Sequence, residues 1–445
     1  MKIVLPQGAR EIITRLRQNG FEAYIVGGSV RDSLLGLSPS DYDITTSATP
    51  DAVKRIFSDK KTVDTGILHG TVTVIIDGKP YEVTTYRVDG DYTDLRHPEE
   101  VSFTRDLRED AARRDFTVNA MAYSDKEGLR DFFGGEEDLR HRIIRAVGDP
   151  DKRFHEDALR ILRALRFAAT LDFAIEEKTA AAVKRNKDLL HRISAERVRE
   201  ELVRLVVGKA AYRILSEFRD VIGVVIPELI PQFDFCQHTP HHIYDLYTHT
   251  LHTLEKSENT MVVRMAALLH DIGKPQCFFR DENGIGHFYG HEEVSATLAD
   301  RRLRALRFDN KTRERIVLLI RKHGVMLPET DRSLKRLLAS IGEDAFFELL
   351  LLKQADNASL APMHLSRLEE IRKTEMRARE LLSQKPCLSL SALAIGGDDL
   401  IALGIERGKK IGEVLSKLLS AVIDGKVENE RETLLALVKK MNNEQ

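Results

Sequence analysis

Two aspartates separated by one residue follow a double glycine in the segment GGSVRDSLLGLSPSDYDITT, which runs from residue 27 to residue 46. Side chains alternate between the two faces of a strand, so a strand through this segment directs Asp41 and Asp43 to the same face. Two carboxylates in one small space repel each other unless a cation lies between them. The segment therefore predicts a strand edge that binds a hard, oxygen-preferring cation such as Mg²⁺.

The double glycine adds a second element to the same predicted site. Gly27 and Gly28 have no side chains, so the backbone there can approach a phosphate closely, and Arg31 can hold that phosphate from one turn further on. Two divalent ions about 4 Å apart could then activate a hydroxyl nucleophile and stabilise a leaving pyrophosphate. The combined pattern favours nucleotidyl transfer. Taken singly, each part also occurs as an ordinary turn or strand.

A third carboxylate is available on a neighbouring predicted strand. The segments GTVTVIID and YEVTTYRV alternate as strands do, and turn formers at residues 77–80 join them. Glu82 in the second segment could complete a triad with the aspartates. An exposed strand glutamate explains the same residue equally well.

The distribution of predicted elements divides the chain. The first 145 residues or so mix helices and strands, whereas from Asp151 onward helices dominate. A chain of 445 residues is also too long for one compact core. Turn formers mark the soft boundaries. We expect an α+β head followed by an elongated all-helical remainder, in four parts: head 1–148, neck 149–230, body 231–382 and tail 383–445.

Composition excludes several classes of protein. No apolar run approaches the ~20 residues of a membrane span, and the start of the chain lacks the hydrophobic region of a signal peptide, so we expect no membrane partner and a cytoplasmic location. The three cysteines form no CxxC pair, which argues against a thiolate zinc site. A formal net charge of −2 argues against a surface that is basic throughout. The segment 152–213 carries fifteen Lys or Arg against nine Asp or Glu, which suits a phosphate-binding face or an ordinary charged helical surface.

Several motifs together carry a resemblance to a known family. The pattern GGSVRD…DYDI resembles the nucleotidyltransferase motif of the class II tRNA nucleotidyltransferases, the bacterial CCA-adding enzymes and their poly(A) polymerase relatives. RRDFTVNAMAY from Arg113 resembles their second motif, and EDALRILRALRFA from Glu156 resembles their base-reading motif. ISAERVREEL from Ile193 resembles the helix that follows, and residues 87–116 resemble the flexible loop. The resemblance implies a DNA polymerase beta-like head, a tRNA 3′ end as substrate, CTP and ATP as donors, and Mg²⁺.

The resemblance also implies roles for individual residues. Arg31 and Arg114 would grip the triphosphate, while Asp115 and Asn119 would shape its pocket. The base-reading motif would place nucleotide contacts along one helix, on Glu156, Asp157, Arg160, Arg163 and Arg166. An Asp acceptor beside an Arg donor can complement the Watson–Crick edge of a base, and arginines every three residues form a slowly winding stripe. A salt-bridged surface helix explains such spacing when it is taken alone.

Nine of the fifteen histidines lie between residues 238 and 323, which predicts a metal site. The pair in ALLHDIGKP resembles the HD superfamily of metal-dependent phosphohydrolases. That pattern maps onto His249, His270, Asp271 and Asp356, with His291 and His323 available for a second ion. The implied activity is that of a phosphatase or a 2′,3′-cyclic phosphodiesterase acting on tRNA ends. Imidazole with carboxylate suits several divalent metals, so the ion is unidentified.

Other functions share parts of this pattern. The chain could add only the terminal A or only CC, it could synthesise poly(A), or it could be chiefly an HD phosphohydrolase whose head senses nucleotides. The full-length loop at 87–116 disfavours CC-only addition, because family members restricted in that way tend to have a shortened loop. The histidine-rich body is not expected in an ordinary poly(A) polymerase. The sequence leaves the oligomeric state open.

Overall fold

The structure is a computed structural model that describes residues 3–67, 70–89 and 101–443. The chain divides into two compact units, residues 1–227 and 228–445. Part of the expected flexible loop, residues 90–100, lies outside the described residues. In the part of the chain that is described, no helix has the length and apolar character needed to cross a membrane.

The first unit is built on a mixed β-sheet. Its strands are β1 Ala23–Val26, β2 Asp43–Thr46, β3 Lys61–Gly66, β4 Thr71–Ile76, β5 Lys79–Thr85, β6 Arg87–Asp89, β7 Val101–Phe103, β8 Ala122–Ser124, β9 Gly128–Arg130, β10 Ile143–Ile144 and β11 Ala174–Ile175. Seven of them form one sheet in the order β3-β4-β5-β2-β1-β8-β9. β2 and β5 run parallel, which sets the ends of these two strands side by side.

Helices pack on this sheet, and further helices follow it in the rest of the first unit. They are α1 Gln7–Gln18, α2 Gly28–Leu34, α3 Pro50–Ile56, α4 Leu107–Ala112, α5 Gly135–His141, α6 Pro150–Glu156, α7 Leu159–Leu171, α8 Glu177–Arg185, α9 Ala195–Val206, α10 Ala211–Glu217 and α11 Arg219–Val225. α1 buries Ile12, Ile13 and Leu16 at helical spacing and ends before Gly20, whose φ is +84°. The predicted mixed α+β head and helical continuation are confirmed.

The predicted hairpin of the head is also present. β4 pairs antiparallel with β5, and Asp77 and Gly78 connect them with φ angles of +50° and +76°. Both angles are left-handed, as a two-residue type I′ turn requires. Lys79 already pairs with Ile76, so the turn is shorter than the four residues that the sequence predicts.

The prediction of a single helix through the base-reading motif is wrong. α6 ends at Glu156 and α7 begins at Leu159. Asp157 between them has an extended backbone, with φ −139° and ψ 103°. Its Oδ1 accepts a hydrogen bond from the Leu159 backbone N–H at 3.0 Å, so the carboxylate satisfies a free donor at the start of α7. Asp157 therefore lies at a helix start, and Arg160 lies within the helix that follows.

The second unit is almost entirely helical. Its elements are α12 Leu246–Lys256, α13 Met261–Leu269, α14 Lys274–Cys277, β12 Phe279–Arg280, β13 Gly286–His287, α15 His291–Ala305, α16 Asn310–Lys322, α17 Asp331–Ile341, α18 Glu343–Ala358, α19 Leu365–Ser383, α20 Gly397–Ala402, α21 Lys409–Ile423 and α22 Arg431–Asn443. α13 is apolar on almost every side, and it packs against α12, α16 and α18. The last three helices share a separate apolar cluster that includes Leu418 and Leu434.

We predict that Gly135→Ala destabilises the first unit. A Cβ at this position would lie 2.2 Å from the backbone oxygen of Thr117, which is too close for two atoms that cannot move freely. Overpacking of this kind costs about 1–3 kcal/mol. We expect calorimetry to show a lower unfolding midpoint, by roughly 4–8 °C for a loss of about 2 kcal/mol. Glu136→Ala, at the exposed next position, is the control. Equal midpoints for the two variants would contradict the prediction.

Candidate active site and metal centre

Three carboxylates lie near one end of β2 in the first unit. Asp43 is the first residue of β2, Asp41 precedes it, and the parallel register with β5 brings Glu82 beside Asp43. The pKa of Asp43 rises to about 6, first because protein surrounds its carboxylate and then because Asp41 and Glu82 carry like charges. Arg114 opposes this rise. Among the described residues, the three carboxylates do not converge to within 4.8 Å of one another.

The double glycine lies against one of the arginines predicted to bind phosphate. Gly27 has a φ of +72°, and a Cβ there would lie 3.1 Å from Arg114 Nη1. Glycine therefore serves both the left-handed backbone and the close approach of a guanidinium. Gly28 begins α2, which carries Arg31 on its buried side.

A hydrogen-bonded network joins α2 and the second motif to α7. Arg163 donates to Asp115 Oδ2 from Nε at 2.8 Å and from Nη2 at 2.6 Å. Asn119 Nδ2 donates to Asp115 Oδ1 at 3.0 Å, and Arg31 Nη1 donates to Asn119 Oδ1 at 2.7 Å. Burial acts to raise the pKa of Asp115, but Arg163 and Asn119 outweigh it and lower that pKa to about 2. The network fixes two guanidiniums relative to each other.

Phe167 of α7 lies among three guanidiniums. The Cζ atoms of Arg166, Arg31 and Arg163 lie 3.7, 5.0 and 5.3 Å from the centre of its ring. Cations are attracted to an aromatic face, so the ring helps to hold like charges near one another. Our sequence analysis overlooked Phe167, because an apolar residue on a buried helix ordinarily predicts core packing alone.

Two predicted base-reading residues are held by ion pairs. Arg160 is 8% exposed and donates to Glu156 Oε2 at 2.7 Å and to the backbone oxygen of Arg113 at 2.9 Å. Asp157 Oδ2 accepts a hydrogen bond from Arg197 Nη2 at 2.8 Å. Their positions are therefore fixed by neighbouring side chains and backbone.

Helix α9 provides partners that our sequence analysis did not assign. Arg197 is the partner of Asp157, and Glu201 accepts from Arg166 Nε at 2.6 Å. Both residues lie one turn apart in the motif ISAERVREEL, which matched the family but gave no indication of its packing partner. α9 packs along α7, and this contact creates the pairs.

Six predicted metal-binding side chains converge in the second unit. They are His249 of α12, His270 and Asp271 after α13, His291 at the start of α15, His323 after α16 and Asp356 of α18. Two groups of ligand atoms each lie within 4.8 Å. One contains His249 and His270, the other contains His291 and His323, and Asp271 belongs to both.

Each carboxylate oxygen of Asp271 faces one group. Oδ2 lies 3.1 Å from His270 Nε2 and 3.7 Å from His249 Nε2. Oδ1 lies 3.3 Å from His291 Nε2 and 3.6 Å from His323 Nε2. Asp271 would thus supply one carboxylate oxygen to each group of candidate ligands.

Backbone carbonyls orient three of these imidazoles. Nδ1 of His270, His291 and His323 lies 2.8, 2.8 and 2.6 Å from the carbonyl oxygens of Ala267, Phe288 and Ile320, respectively. A proton on Nδ1 leaves the lone pair on Nε2 free to bind a metal. The Nε2 atoms of His291 and His323 are 3.2 Å apart.

Several of these ligand atoms are buried without a hydrogen bond to any residue that the structure describes. They are the Nε2 atoms of His249 and His270 and both oxygens of Asp271, although Oδ2 of Asp271 also lies 2.7 Å from the Lys274 ammonium. Burial acts to raise the pKa of Asp271, but the nearby His270 and Lys274 hold that pKa well below its usual range. Unsatisfied buried polar atoms are costly. The donor set therefore fits divalent metal ions, for which imidazole and carboxylate are common ligands.

Comparison with known families identifies three segments. Residues 23–145 match the family described as "Poly A polymerase head domain". Residues 172–230 match "Probable RNA and SrmB- binding site of polymerase A", and residues 288–438 match "tRNA nucleotidyltransferase domain 2 putative". The acid pair and the second motif lie within the first segment.

Similar proteins extend the match to the whole chain. The CCA-adding enzyme of Levilactobacillus brevis is 36% identical over 433 residues, which cover 97% of this chain and 96% of that protein. The CCA-adding enzyme of Ligilactobacillus salivarius is 35% identical over 97% of this chain and 96% of its own length. The chain belongs to the family of CCA-adding enzymes.

Solved structures of CCA-adding enzymes share the fold. The Bacillus stearothermophilus CCA-adding enzyme in complex with CTP is 32% identical and superposes with a TM-score of 0.72, covering 99% of this chain and 98% of that chain. The Thermotoga maritima CCA-adding enzyme complexed with tRNA is 22% identical, with a TM-score of 0.57 over 99% of this chain and 97% of that chain. The predicted nucleotidyltransferase family and the polymerase beta-like head are confirmed.

We predict that protons compete with Mg²⁺ at Asp43 of this CCA-adding enzyme. Its pKa of about 6 means that the metal-free carboxyl becomes protonated as the pH falls through 6. A metal ligand must lose its proton to bind. The Mg²⁺ concentration for half-maximal nucleotide incorporation should therefore rise below pH 6, by up to about tenfold per pH unit for one displaced proton. A constant value from pH 7 to pH 5 would contradict this.

Proposed function

We propose that the protein adds C, C and A in turn to the 3′ end of tRNA, with CTP and ATP as donors. The observation that carries the proposal is the juxtaposition of Asp41, Asp43 and Glu82 with the partly buried guanidinium of Arg114. Carboxylates beside a guanidinium suit a triphosphate whose charge is shared between divalent cations and arginine. The full-length similarity to CCA-adding enzymes supports the same conclusion.

Asp41 and Asp43 would hold the metal ions, for which Mg²⁺ is the natural choice, and Glu82 would add a third carboxylate. When bound, such ions activate the tRNA 3′-hydroxyl and stabilise the leaving pyrophosphate. The protein supplies position and charge. Arg31 and Arg114 would grip the triphosphate, while Gly27 lets the backbone approach it.

The protein would act as its own template for C and A. A template must hold its donors and acceptors still, and ion pairs to Arg197 and Glu156 do this for Asp157 and Arg160. Asp157 would accept from the exocyclic amine that cytosine and adenine both carry, and Arg160 would donate to a ring acceptor. Arg163 and Arg166 continue the row of arginines along α7, held by Asp115 and Glu201.

Incorporation on a gel tests this proposal. Transcripts of tRNA lacking CCA, CA or A are each incubated with CTP, ATP or both, in the presence of Mg²⁺. Completion of all three transcripts to CCA is the expected result. Extension only of the transcript that ends in CC would indicate an A-adding enzyme, and long A tails would indicate a poly(A) polymerase. Failure to incorporate any nucleotide would favour a head that only senses nucleotides.

Asp157→Ala should impair nucleotide choice more than tRNA binding. The change removes the proposed base acceptor and leaves Arg197 without its partner. We expect misincorporation of UTP or GTP to rise about tenfold or more, because one lost base contact is worth about 1–3 kcal/mol. Filter binding of tRNA should change little. Asp151→Ala is a matched control, since it breaks the exposed Asp151–Arg185 pair at 2.6 Å. Equal loss of nucleotide choice and of tRNA binding would refute the proposed base-reading role of Asp157.

We further propose that the second unit is an HD-type metal centre with phosphohydrolase activity, and that the chain belongs to the class II branch of the family. The buried Nε2 atoms of His249 and His270, which make no hydrogen bond among the described residues and lie beside Asp271, carry the first part of this proposal. A divalent transition metal there would polarise a phosphate ester and supply a water nucleophile. Lys274, with Nζ 2.7 Å from Asp271 Oδ2, would add positive charge for the phosphate. tRNA ends bearing a 2′,3′-cyclic phosphate or a terminal phosphate are the proposed substrates.

The double variant His270→Ala, Asp271→Ala tests the metal centre. After dialysis, the transition-metal content of this variant should be lower than that of wild type by a factor of about ten or more. The variant should also lose hydrolysis of 2′,3′-cyclic phosphate. The matched control is His287→Ala, Asp281→Ala, which removes a partly exposed pair in the same unit, with His287 Nε2 and Asp281 Oδ2 2.9 Å apart. Unchanged hydrolysis and metal content in the first variant would exclude the proposal.

A further inference from the structure

A second cavity adjoins the metal cluster in the second unit. One cavity, of 270 Å³, opens onto Asp271, His323 and Asp356. A larger one, of 580 Å³, lies between the segment 324–329 and α19. Four residues line both: Gly324, Lys353, Asn357 and Arg367. The two cavities are therefore neighbours along the same wall, and a ligand held at the metal ligands can extend from one to the other.

The size of the larger cavity exceeds what hydrolysis of a phosphate group requires. A volume of 580 Å³ falls within the range of about 300–1,000 Å³ that holds small organic ligands. A bound phosphate near Asp271 would occupy only the smaller cavity. The larger one is thus available for the organic part of a phosphate ester.

Cations lie where the two cavities meet. Lys353 of α18 is directed to this boundary and donates to the backbone oxygen of His323 at 2.6 Å. Arg367 of α19 lines both cavities, and it makes no ion pair or hydrogen bond with any other residue that the structure describes. A free guanidinium beside a partly buried ammonium favours an anionic group at the boundary.

The far wall of the larger cavity combines apolar and polar groups. Leu327 and the buried Ile371 supply apolar surface, and Thr374 supplies a hydroxyl. At the boundary, Asn357 donates from Nδ2 to the Lys353 backbone oxygen at 2.8 Å, whereas its buried Oδ1 has no hydrogen-bond partner among the described residues. A nucleobase matches this wall, because it has apolar faces and polar edges, and an amino or hydroxyl group of a nucleoside would satisfy Asn357 Oδ1.

We infer that the larger cavity is a nucleoside subsite, which binds the terminal nucleoside of a phosphate ester presented to the metal cluster. Arg367 and Lys353 hold the phosphate at the boundary, Asn357 contacts the nucleoside, and the wall formed by Leu327, Ile371 and Thr374 accommodates the base. A catalytic role for this subsite rests on the proposed metal centre. Nucleotide binding by the second unit does not depend on bound metal.

Equilibrium dialysis of the full chain in EDTA tests the subsite. The probes are adenosine 3′-monophosphate, ribose 5-phosphate and inorganic phosphate. Thr374→Trp places a ring in the larger cavity alone, and Arg367→Glu reverses the charge at the boundary. Met376→Trp and Arg372→Glu are controls at exposed positions of the same helix that line neither cavity. The head is identical in all variants, so differences between a variant and its control report the second unit.

We expect Thr374→Trp to weaken binding of adenosine 3′-monophosphate about tenfold or more and to leave inorganic phosphate unaffected. Arg367→Glu should weaken binding of both adenosine 3′-monophosphate and inorganic phosphate. The control variants should bind both probes as wild type does. Wild-type binding of ribose 5-phosphate as tight as that of the nucleotide would overturn the inference. Unchanged nucleotide binding in Arg367→Glu, whose exposed position lets it fold, would also overturn it.

The same series separates this inference from the proposed metal centre. If wild type retains no transition metal but Thr374→Trp and Arg367→Glu still weaken nucleotide binding, the subsite stands and the phosphohydrolase proposal fails. If wild type retains metal and hydrolyses 2′,3′-cyclic phosphate while neither variant changes nucleotide binding, the subsite fails and the metal centre stands.

Discussion

Electrostatic crowding is the constraint on which both candidate centres depend. In the head, desolvation of its carboxylate by surrounding protein and then the like charges of Asp41 and Glu82 raise the pKa of Asp43 to about 6. In the second unit, Asp271 is buried among imidazoles whose Nε2 atoms all approach its oxygens. Such arrangements are costly in a folded chain unless cations or hydrogen bonds compensate them. The fold holds the carboxylates and imidazoles of each centre close together, and this proximity determines the chemistry that each centre can support.

The compensation differs between the two centres. Around the nucleotide site it comes largely from the protein, because Asp115 collects hydrogen bonds from Arg163 and Asn119, and Asn119 in turn accepts from Arg31. Phe167 adds an aromatic face to the same guanidiniums. In the second unit the backbone orients three imidazoles, and Lys274 Nζ lies 2.7 Å from one oxygen of Asp271, but the buried Nε2 atoms of His249 and His270 make no hydrogen bond within the described chain. We therefore propose that the first site is preorganised for a triphosphate and the second for metal.

Local sequence patterns predicted the parts that depend on local physics. Alternation along β4 and β5 and helical spacing in α1 fix those elements, and the spacing of Asp41 and Asp43 predicts a shared face whatever surrounds them. The break at Asp157 was missed because a capping carboxylate competes with helix continuation, and helical periodicity does not record that competition. The roles of Arg197 and Glu201 arise from packing of α7 on α9, and Phe167 contacts Arg31 of α2. Both are contacts between distant segments that no local pattern specifies. The cavity beside Asn357 likewise requires three separate segments to meet.

The central claim is that one chain contains two separate metal-binding centres, one for nucleotidyl transfer and one around Asp271. Anomalous X-ray diffraction from crystals grown with Mn²⁺ and CTP tests it directly, because it locates the ions without assuming any activity. Our account predicts anomalous peaks within about 2.5 Å of carboxylate oxygens of both Asp43 and Asp271. Peaks at Asp43 alone, with the Asp271 cluster empty at saturating Mn²⁺, would contradict it.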